Sequence, residues 1–116
     1  MDNHKAPLDI IFYALADPTR RAVVQRLGLG PAAVKELASP FDMALPSFMK
    51  HISILEESGL IASEKVGRVR TCTIDPDGMM LVQLWMDQQR EIWEGRADRL
   101  TDYIENRMNR EFQDEK

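Results

Sequence analysis

The chain has 116 residues, of which 44% are hydrophobic and 29% charged, a composition typical of one compact globular domain. Its single cysteine excludes an intrachain disulfide, and with only two histidines we expect neither a metal site nor a cofactor. No segment is long and apolar enough for a membrane span or a signal peptide, so we expect a cytoplasmic protein without a membrane partner. The formal net charge is −4, yet residues 17–75 carry a net +1 and residues 76–116 a net −4, which leaves the first part able to face phosphate.

Two helices are predicted at the start of the chain. Apolar residues at helical spacing predict the first over residues 8–16. Asp17 and Pro18 end it and then serve as the N-cap and first position of a second helix, which runs to about Leu27. Gly28 and Gly30 end the second helix, because glycine tolerates the left-handed conformation at a helix C-terminus.

Two further helices are predicted before a hairpin. A short third helix opens at Pro31 and ends at a turn over residues 39–42. A fourth begins at Ala44 or Leu45 and runs to Ser58. Its apolar residues at i, i+4 and i+7 predict one buried stripe, formed by Phe48, Ile52 and Leu55.

A hairpin and a long helix complete the predicted order. Residues 60–66 and 70–74 are rich in β-branched side chains and flank a tip that contains Gly67 and Arg68. The last helix begins near Gly78, and Gly95 could bend or interrupt it. Its apolar stripe is too long for so small a domain to cover, so we expect a partner helix.

This order predicts a mainly α fold with a small β-hairpin, namely a winged helix-turn-helix with a long C-terminal dimerisation helix. We expect a single domain over 1–116, divided into a DNA-binding core over 8–76, a dimerisation helix over 77–110 and disorder over 111–116. The fourth helix has the features of a recognition helix. It has an apolar inner face, no acidic residue from Met43 to Leu55, and Lys50 and His51 to meet a phosphate or a guanine edge.

Four segments in order resemble the ArsR-type repressor family, across residues 8 to about 105. They read ADPTRR at 16–21, GPAAVKELA at 30–38, LPSFMKHI at 45–52 and LEESGLI at 55–61, and Gly67-Arg68 falls where the family's wing turns. The resemblance implies a homodimer that binds a palindromic operator and usually represses transcription.

The resemblance assigns contact with DNA to the fourth helix and the wing, at Leu45, Ser47, Met49, Lys50, His51, Lys65, Arg68 and Arg70. Met49 stands where the family usually has serine, which favours an apolar contact with a thymine methyl group. Arg20 and Arg21 fit either phosphate contacts or solvated helix charges. His51 fits either a DNA contact or a partly buried histidine hydrogen-bonded to a neighbour. Cys72 is most simply a small packed side chain.

The chain departs from the metal-sensing members of that family. The third helix has no cysteine, and the last helix has Asp87, Glu91 and Glu94 but no histidine. It therefore resembles the branch that does not sense metal, whose dimer helix is similar around Trp85 and Trp93. We expect the dimer interface to use apolar residues of the first and last helices, namely Leu8, Ile11, Leu81, Leu84, Trp85, Ile92, Trp93 and Leu100.

Together these observations predict a homodimeric regulator that binds double-stranded DNA, with repression as its expected effect. The alternative is a winged-helix protein-interaction module without DNA binding, favoured by the overall acidity and by the apolar Leu45 and Met49. An enzyme is not favoured, because the chain has neither a recognised nucleophile motif nor a glycine-rich phosphate loop. The residues do not indicate any small-molecule effector.

Overall fold

The computed structural model describes residues 7–114, and the side chains of residues 7–111. It divides into two compact units, which meet in sequence between Val82 and Gln83. The first unit contains every element except most of the last helix, and it carries the candidate DNA-binding surface. The expected fold is confirmed, since the unit has four helices followed by a hairpin and the start of a long helix.

The first two helices are α1 (Pro7–Leu15) and α2 (Pro18–Leu27). Asp17 caps α2 as predicted, because its Oδ2 accepts a hydrogen bond of 3.0 Å from the backbone N–H of Arg20. The left-handed conformation predicted for Gly28 is wrong, since its φ of −61° is right-handed. The chain reverses at Gly30 instead, where φ is +137°.

The third helix begins later than the sequence indicates. Residues Ala32–Ala33 form a short strand, β1, and α3 covers only Val34–Ala38. This strand was not predicted, because two alanines carry no pattern and only pairing with a distant strand defines them. The recognition-helix candidate, α4, runs from Leu45 to Glu57, as predicted within one residue at its C-terminal end.

Two strands form the hairpin, β2 (Ile61–Val66) and β3 (Val69–Ile74). The sheet is antiparallel with the order β1-β3-β2, so the hairpin is anchored to the residues that precede α3. Gly67 and Arg68 form a two-residue turn in which Gly67 alone has a positive φ, of +63°. This geometry fits a type II′ turn, which suits the right-handed twist of the paired strands.

The core of the first unit joins all of its helices and the sheet. Its largest fully buried side chains are those of Phe48, Ile52, Leu55, Leu60, Ile61, Ile11, Val23 and Cys72. The predicted stripe of α4 is confirmed, because Phe48, Ile52 and Leu55 are each 0% exposed. Ile11 was predicted at the dimer interface, and this is wrong, because its side chain is buried within the same chain's core and has no surface left to offer.

The last helix, α5, begins at Pro76 and runs without interruption through Gly95 to Asp114. It thus starts two residues before the predicted position and continues past residue 110, while residues 115 and 116 lie outside the described part of the chain. The first turn of α5 packs closely on the loop after α4. A Cβ atom at Gly78 would collide with the carbonyl group of Gly59, so the approach depends on a glycine.

The second unit, from Gln83 onward, is the remainder of α5. It contains large apolar side chains that are exposed in the single chain, among them Leu84, Trp85, Ile92, Trp93, Leu100 and Tyr103. Ile92 and Trp93 are 58% and 73% exposed. So much exposed apolar surface on one helix is typical of a segment that binds a partner.

Candidate nucleic-acid interface

The outer side of α4 presents small and basic residues to solvent. Leu45 opens the helix and is half exposed, and Ser47 and Lys50 are exposed beyond it. The inner side is anchored by Phe48, Ile52 and Leu55, so the helix has one rigid orientation relative to the core. Met49 differs from the other predicted contacts, because its side chain is half-buried and packs partly against the core.

A concave groove of about 440 Å³ lies beside the start of α4. The N-terminal part of α3, the first turns of α4 and the tip of the hairpin form its walls. Its lining is apolar at Ala33, Val34, Leu45, Met49 and Val69, and basic at Lys35, Lys65, Arg68 and Arg70. No acidic residue lines this groove, so four cationic side chains face the same space without an anion between them.

The three basic side chains of the hairpin differ in exposure and in hydrogen bonding. Lys65 and Arg70 are paired across β2 and β3, and Arg68 is exposed in the turn. Arg70 is half-buried, and its Nη1 donates a hydrogen bond of 2.9 Å to Oγ of Ser63, which in turn donates one of 2.7 Å to Oε1 of Glu56. The chain of bonds ties the hairpin to the C-terminal turn of α4. Arg70 therefore supports the groove as well as lining it.

Cys72 lies beneath this network, in the middle of β3. Its side chain is 0% exposed and belongs to the core, as the simplest interpretation of the sequence predicts. Burial is the main cause that raises the pKa of the Cys72 thiol, and the charge of Glu56 acts in the same direction, while Arg70 partly opposes them. A thiol in such surroundings is a packing group rather than a reactive one.

Arg20 is not at the surface, which corrects both interpretations of the sequence. Only 6% of the residue is exposed. Its Nε and Nη2 donate hydrogen bonds of 2.7 and 2.9 Å to the carbonyl oxygens of Ala14 and Tyr13, and its guanidinium lies 5.1 Å from the centre of the Tyr13 ring. These carbonyls lie at the C-terminal end of α1, where that of Tyr13 also accepts a hydrogen bond of 3.1 Å from the N–H of Ala16. A buried cation with several donors is well suited to the C-terminus of a helix.

His51 is partly buried and lies beside a polar neighbour, as one interpretation of the sequence predicts, and its contact with DNA stays a prediction. Its half-buried ring projects from α4 towards the start of α2, with Nδ1 3.1 Å from Nη1 of Arg20 and 3.8 Å from Oδ2 of Asp17. Burial acts to raise the pKa of Asp17, but the backbone N–H of Arg20, the charges of His51 and Arg20 and the N–H of Thr19 outweigh it, so that pKa lies below its ordinary value of 3.8. Arg21, by contrast, is exposed and donates one bond, of 2.8 Å, to the carbonyl of Leu15.

Comparison with known proteins identifies this arrangement. Residues 15–64 match the family model of a helix-turn-helix domain. The chain is 35% identical over 88 residues to the HTH-type transcriptional regulator Rv2034 of Mycobacterium tuberculosis, across 76% of this chain and 81% of that protein. It is 61% identical to an ArsR family transcriptional regulator, RHA00566, whose crystal structure it matches with a TM-score of 0.74 over 77% of this chain and 98% of that one. The chain belongs to the ArsR family of transcriptional regulators.

A third comparison concerns the fold of the family. The solution structure of a homodimeric winged helix-turn-helix DNA-binding domain from Mycobacterium bovis matches with a TM-score of 0.58 at 22% identity, over 78% of this chain and 94% of that one. The resemblance that the motifs of this ArsR-family regulator indicated is thus confirmed, as are its fold and its helix-turn-helix DNA-binding domain.

Four residues of the groove in this ArsR-family regulator were not predicted as site residues. Val34 and Lys35 lie on α3, Ala33 ends β1, and Val69 begins β3. Lys35 lies on the helix that precedes the predicted recognition helix and could have been found by its charge. Ala33 and Val69 carry no comparable signal, because only the pairing of β1 with β3 brings α3 and the hairpin to the same side of α4.

No three His, Cys, Asp or Glu side chains within residues 7–111 are close enough together to hold a metal ion. No helix in the described part of this ArsR-family regulator is both long and apolar enough to cross a membrane.

Proposed function

We propose that this ArsR-family regulator is a homodimeric, sequence-specific repressor that places α4 in the major groove of a palindromic operator and rests its hairpin on the flanking backbone. The observation that carries the proposal is the groove beside α4, with basic residues from α3, β2, the turn and β3 and no acidic lining residue. Phosphate oxygens are the anions that such a concave cationic surface accommodates.

The order of residues along α4 supports its role in reading bases. Leu45 and Ser47 lie in its first turn, where a recognition helix approaches base edges, and Lys50 follows on the exposed side. The apolar lining contributed by Leu45, Met49 and Val69 fits the methyl group of thymine better than a polar edge. We therefore expect thymine within each half-site. Exposed Arg21, beside the start of α2, is a candidate phosphate contact.

A two-fold dimer accounts for the palindrome. The exposed apolar side chains of α5 offer a surface for a second copy, and the structural relative from Mycobacterium bovis is described as homodimeric. Two copies of α4 related by a two-fold axis would enter successive major grooves about one helical turn apart. Repression follows where the bound dimer covers DNA that RNA polymerase also needs, since both cannot occupy it together.

The test is the selection of bound sequences from a randomised DNA pool, followed by affinity measurements across a salt series. We expect a palindrome with two half-sites, and an affinity that falls steeply as salt rises because phosphate contacts release counterions. Placing the recovered sequence over a promoter should lower transcription in the presence of the protein. A salt-independent affinity or an asymmetric single site would contradict the proposal.

Two substitutions locate the interface. Lys50→Ala and Arg68→Ala should each weaken binding about tenfold and reduce the salt slope by about one unit, as expected for one lost phosphate contact. Arg110→Ala is the matched control, because it removes the same charge from an exposed residue of the second unit. If all three variants bind as the unchanged protein does, α4 and the hairpin are not the interface. A protein-interaction module would bind its partner equally well after both substitutions, and it would yield no enriched DNA sequence.

A further inference from the structure

The buried Arg20 connects three elements of the first unit. It lies on α2, donates to the last carbonyls of α1 at Tyr13 and Ala14, and reaches across to His51 on α4. Any effect of Arg20 on DNA binding must therefore pass through another residue, because the guanidinium is enclosed. The polar side chain of α4 that Arg20 contacts is His51.

The contact between Arg20 and His51 favours one position for the imidazole proton. A guanidinium can only donate hydrogen bonds, so a bond from Nη1 of Arg20 to Nδ1 of His51, at 3.1 Å, makes that nitrogen the acceptor. Oδ2 of Asp17, which accepts from the N–H of Arg20, lies further from the same nitrogen, at 3.8 Å. A neutral imidazole with an accepting Nδ1 carries its proton on Nε2. The ring thus becomes a hydrogen-bond donor at its far nitrogen, on a helix whose other face packs in the core.

The ring is held but not enclosed. The His51 side chain is 21% exposed, so part of it can reach a ligand outside the protein. Asp17, whose side chain is 30% exposed and whose Oδ2 is committed to the N-cap of α2, completes the polar surroundings of the ring. A DNA phosphate has oxygens that only accept, and it requires a donor from the protein.

We propose that Arg20 is a positioning residue that holds His51 as the tautomer with a proton on Nε2, and that this N–H donates to a phosphate oxygen of the DNA backbone. The inference rests on the proposed DNA-binding function. The proposal gives different roles to two residues that motif comparison alone places at the DNA interface. Arg20 does not contact DNA, and His51 contacts it as a neutral hydrogen-bond donor rather than as a cation.

Nuclear magnetic resonance of the free protein tests the tautomer without any DNA. We expect long-range proton–nitrogen correlations of His51 at about pH 8, where an ordinary imidazole is neutral, to show a protonated Nε2 and an unprotonated Nδ1. Arg20→Gln should give a mixture of tautomers. Arg26→Gln is the control, because Arg26 lies on the same helix and also donates to a carbonyl, that of Gly30, while its ion pair is with Glu36 on α3. A proton on Nδ1 in the unchanged protein would overturn the positioning role.

Two substitutions of His51 separate its two nitrogens. The amide of Asn in His51→Asn can replace the accepting Nδ1 but reaches no further, whereas the longer amide of Gln in His51→Gln can replace the donor at Nε2. We expect His51→Asn to weaken binding about tenfold on the selected operator and on a mixed-sequence duplex alike, and His51→Gln to retain most of the affinity. Equal affinity of His51→Asn and the unchanged protein would overturn the donor role. A loss confined to the selected operator would indicate a base contact instead and would also overturn the proposal.

A double-mutant cycle tests whether Arg20 affects DNA binding through His51. Arg20→Gln should lower affinity about tenfold when His51 is present but have little effect in the His51→Gln background, because no tautomer then remains to be held. Additive losses would mean that Arg20 acts only on folding. If the unchanged protein binds no duplex, the proposed DNA-binding function fails. The tautomer of His51 is measured in the free protein, so this failure can be distinguished from a wrong prediction of the tautomer.

Discussion

At the scale of single residues, neighbouring arginines in one motif have separate environments. Arg20 is enclosed by the end of α1 and by α4, while Arg21 lies in solvent one position further along α2. A difference of one residue rotates a side chain by about 100° around a helix, so one arginine faces the junction of three helices and the other faces outward. Asp17 organises the same junction from the N-terminus of α2.

Removal of the Asp17 carboxylate should destabilise the protein in a pH-dependent way. Asp17→Ala loses the N-cap of α2, which we expect to cost about 1 kcal/mol of unfolding free energy near neutral pH. The pKa of Asp17 in the folded state lies below its ordinary value of 3.8, so its contribution is fully present above that value and is lost as the pH falls through the folded-state pKa. Urea unfolding at a series of pH values measures this.

The control for the Asp17 variant is Asp17→Asn, which keeps a capping oxygen without a titrating group. We expect it to lie between the other two proteins near neutral pH. The advantage of the unchanged protein over Asp17→Asn should shrink below about pH 4. A difference that stays constant across the acid range would show that the charge of Asp17 contributes nothing to folding.

At the scale of elements, close backbone packing determines how the long helix begins. Gly78, in the first turn of α5, lies against the loop formed by Gly59 and Leu60. The N–H of Asp75 donates a hydrogen bond of 2.9 Å to the carbonyl of Leu60, which holds the end of β3 to the same loop. The helix therefore starts from a surface built by α4 and β3, and its first turn belongs to the first unit.

Gly78→Ala should destabilise the first unit. The added methyl group would overlap the carbonyl of Gly59, and relieving the overlap requires a backbone shift that we expect to cost roughly 1–3 kcal/mol. Gly95→Ala is the matched control, because nothing lies within 4 Å of its added Cβ and alanine favours a helix by up to about 1 kcal/mol. Urea midpoints at one fixed protein concentration should fall for Gly78→Ala and hold or rise for Gly95→Ala. Equal midpoints would contradict the packing described.

At the scale of the whole molecule, the chain leaves an amphipathic helix with a large exposed apolar surface. Ile92 and Leu100 are 58% and 60% exposed, which is unusual for side chains of their kind in a monomer. The proposed homodimer would bury this surface. It would also double the number of phosphate contacts, so self-association and operator affinity should be linked.

Ile92→Glu should therefore weaken self-association at least tenfold, because it places a charge within the apolar surface of α5. Thr101→Glu is the control. It adds the same charge to the same helix nine residues further along, about two and a half turns, and hence on the opposite side from Ile92. Sedimentation equilibrium over a concentration series measures both variants. The proposed interface is wrong if they dissociate equally, or if neither differs from the unchanged protein.

Much of this fold could be predicted from local pattern. The cap at Asp17, the stripe of Phe48, Ile52 and Leu55 and the turn at Gly67 depend on neighbours within a few residues. Capping and hydrophobic periodicity are visible within such short stretches of sequence, so these features can be predicted without the tertiary structure. The family followed from four such stretches in the right order. The residues on the exposed side of α4 follow from the same periodicity, and their contact with DNA stays a prediction.

What the sequence could not determine depended on contacts between distant parts of the chain. β1 exists because Ala32 and Ala33 pair with Cys72 and Thr71. Ile11, predicted at the dimer interface, is instead buried in the core of its own chain. Arg20 was assigned to the surface by its charge, and only the meeting of α1, α2 and α4 supplied the carbonyls and the imidazole that make a buried guanidinium stable. The sequence by itself determined the elements and the family, through local periodicity and capping. The tertiary structure alone decided which polar groups found partners inside, because that depends on packing between residues far apart in the chain.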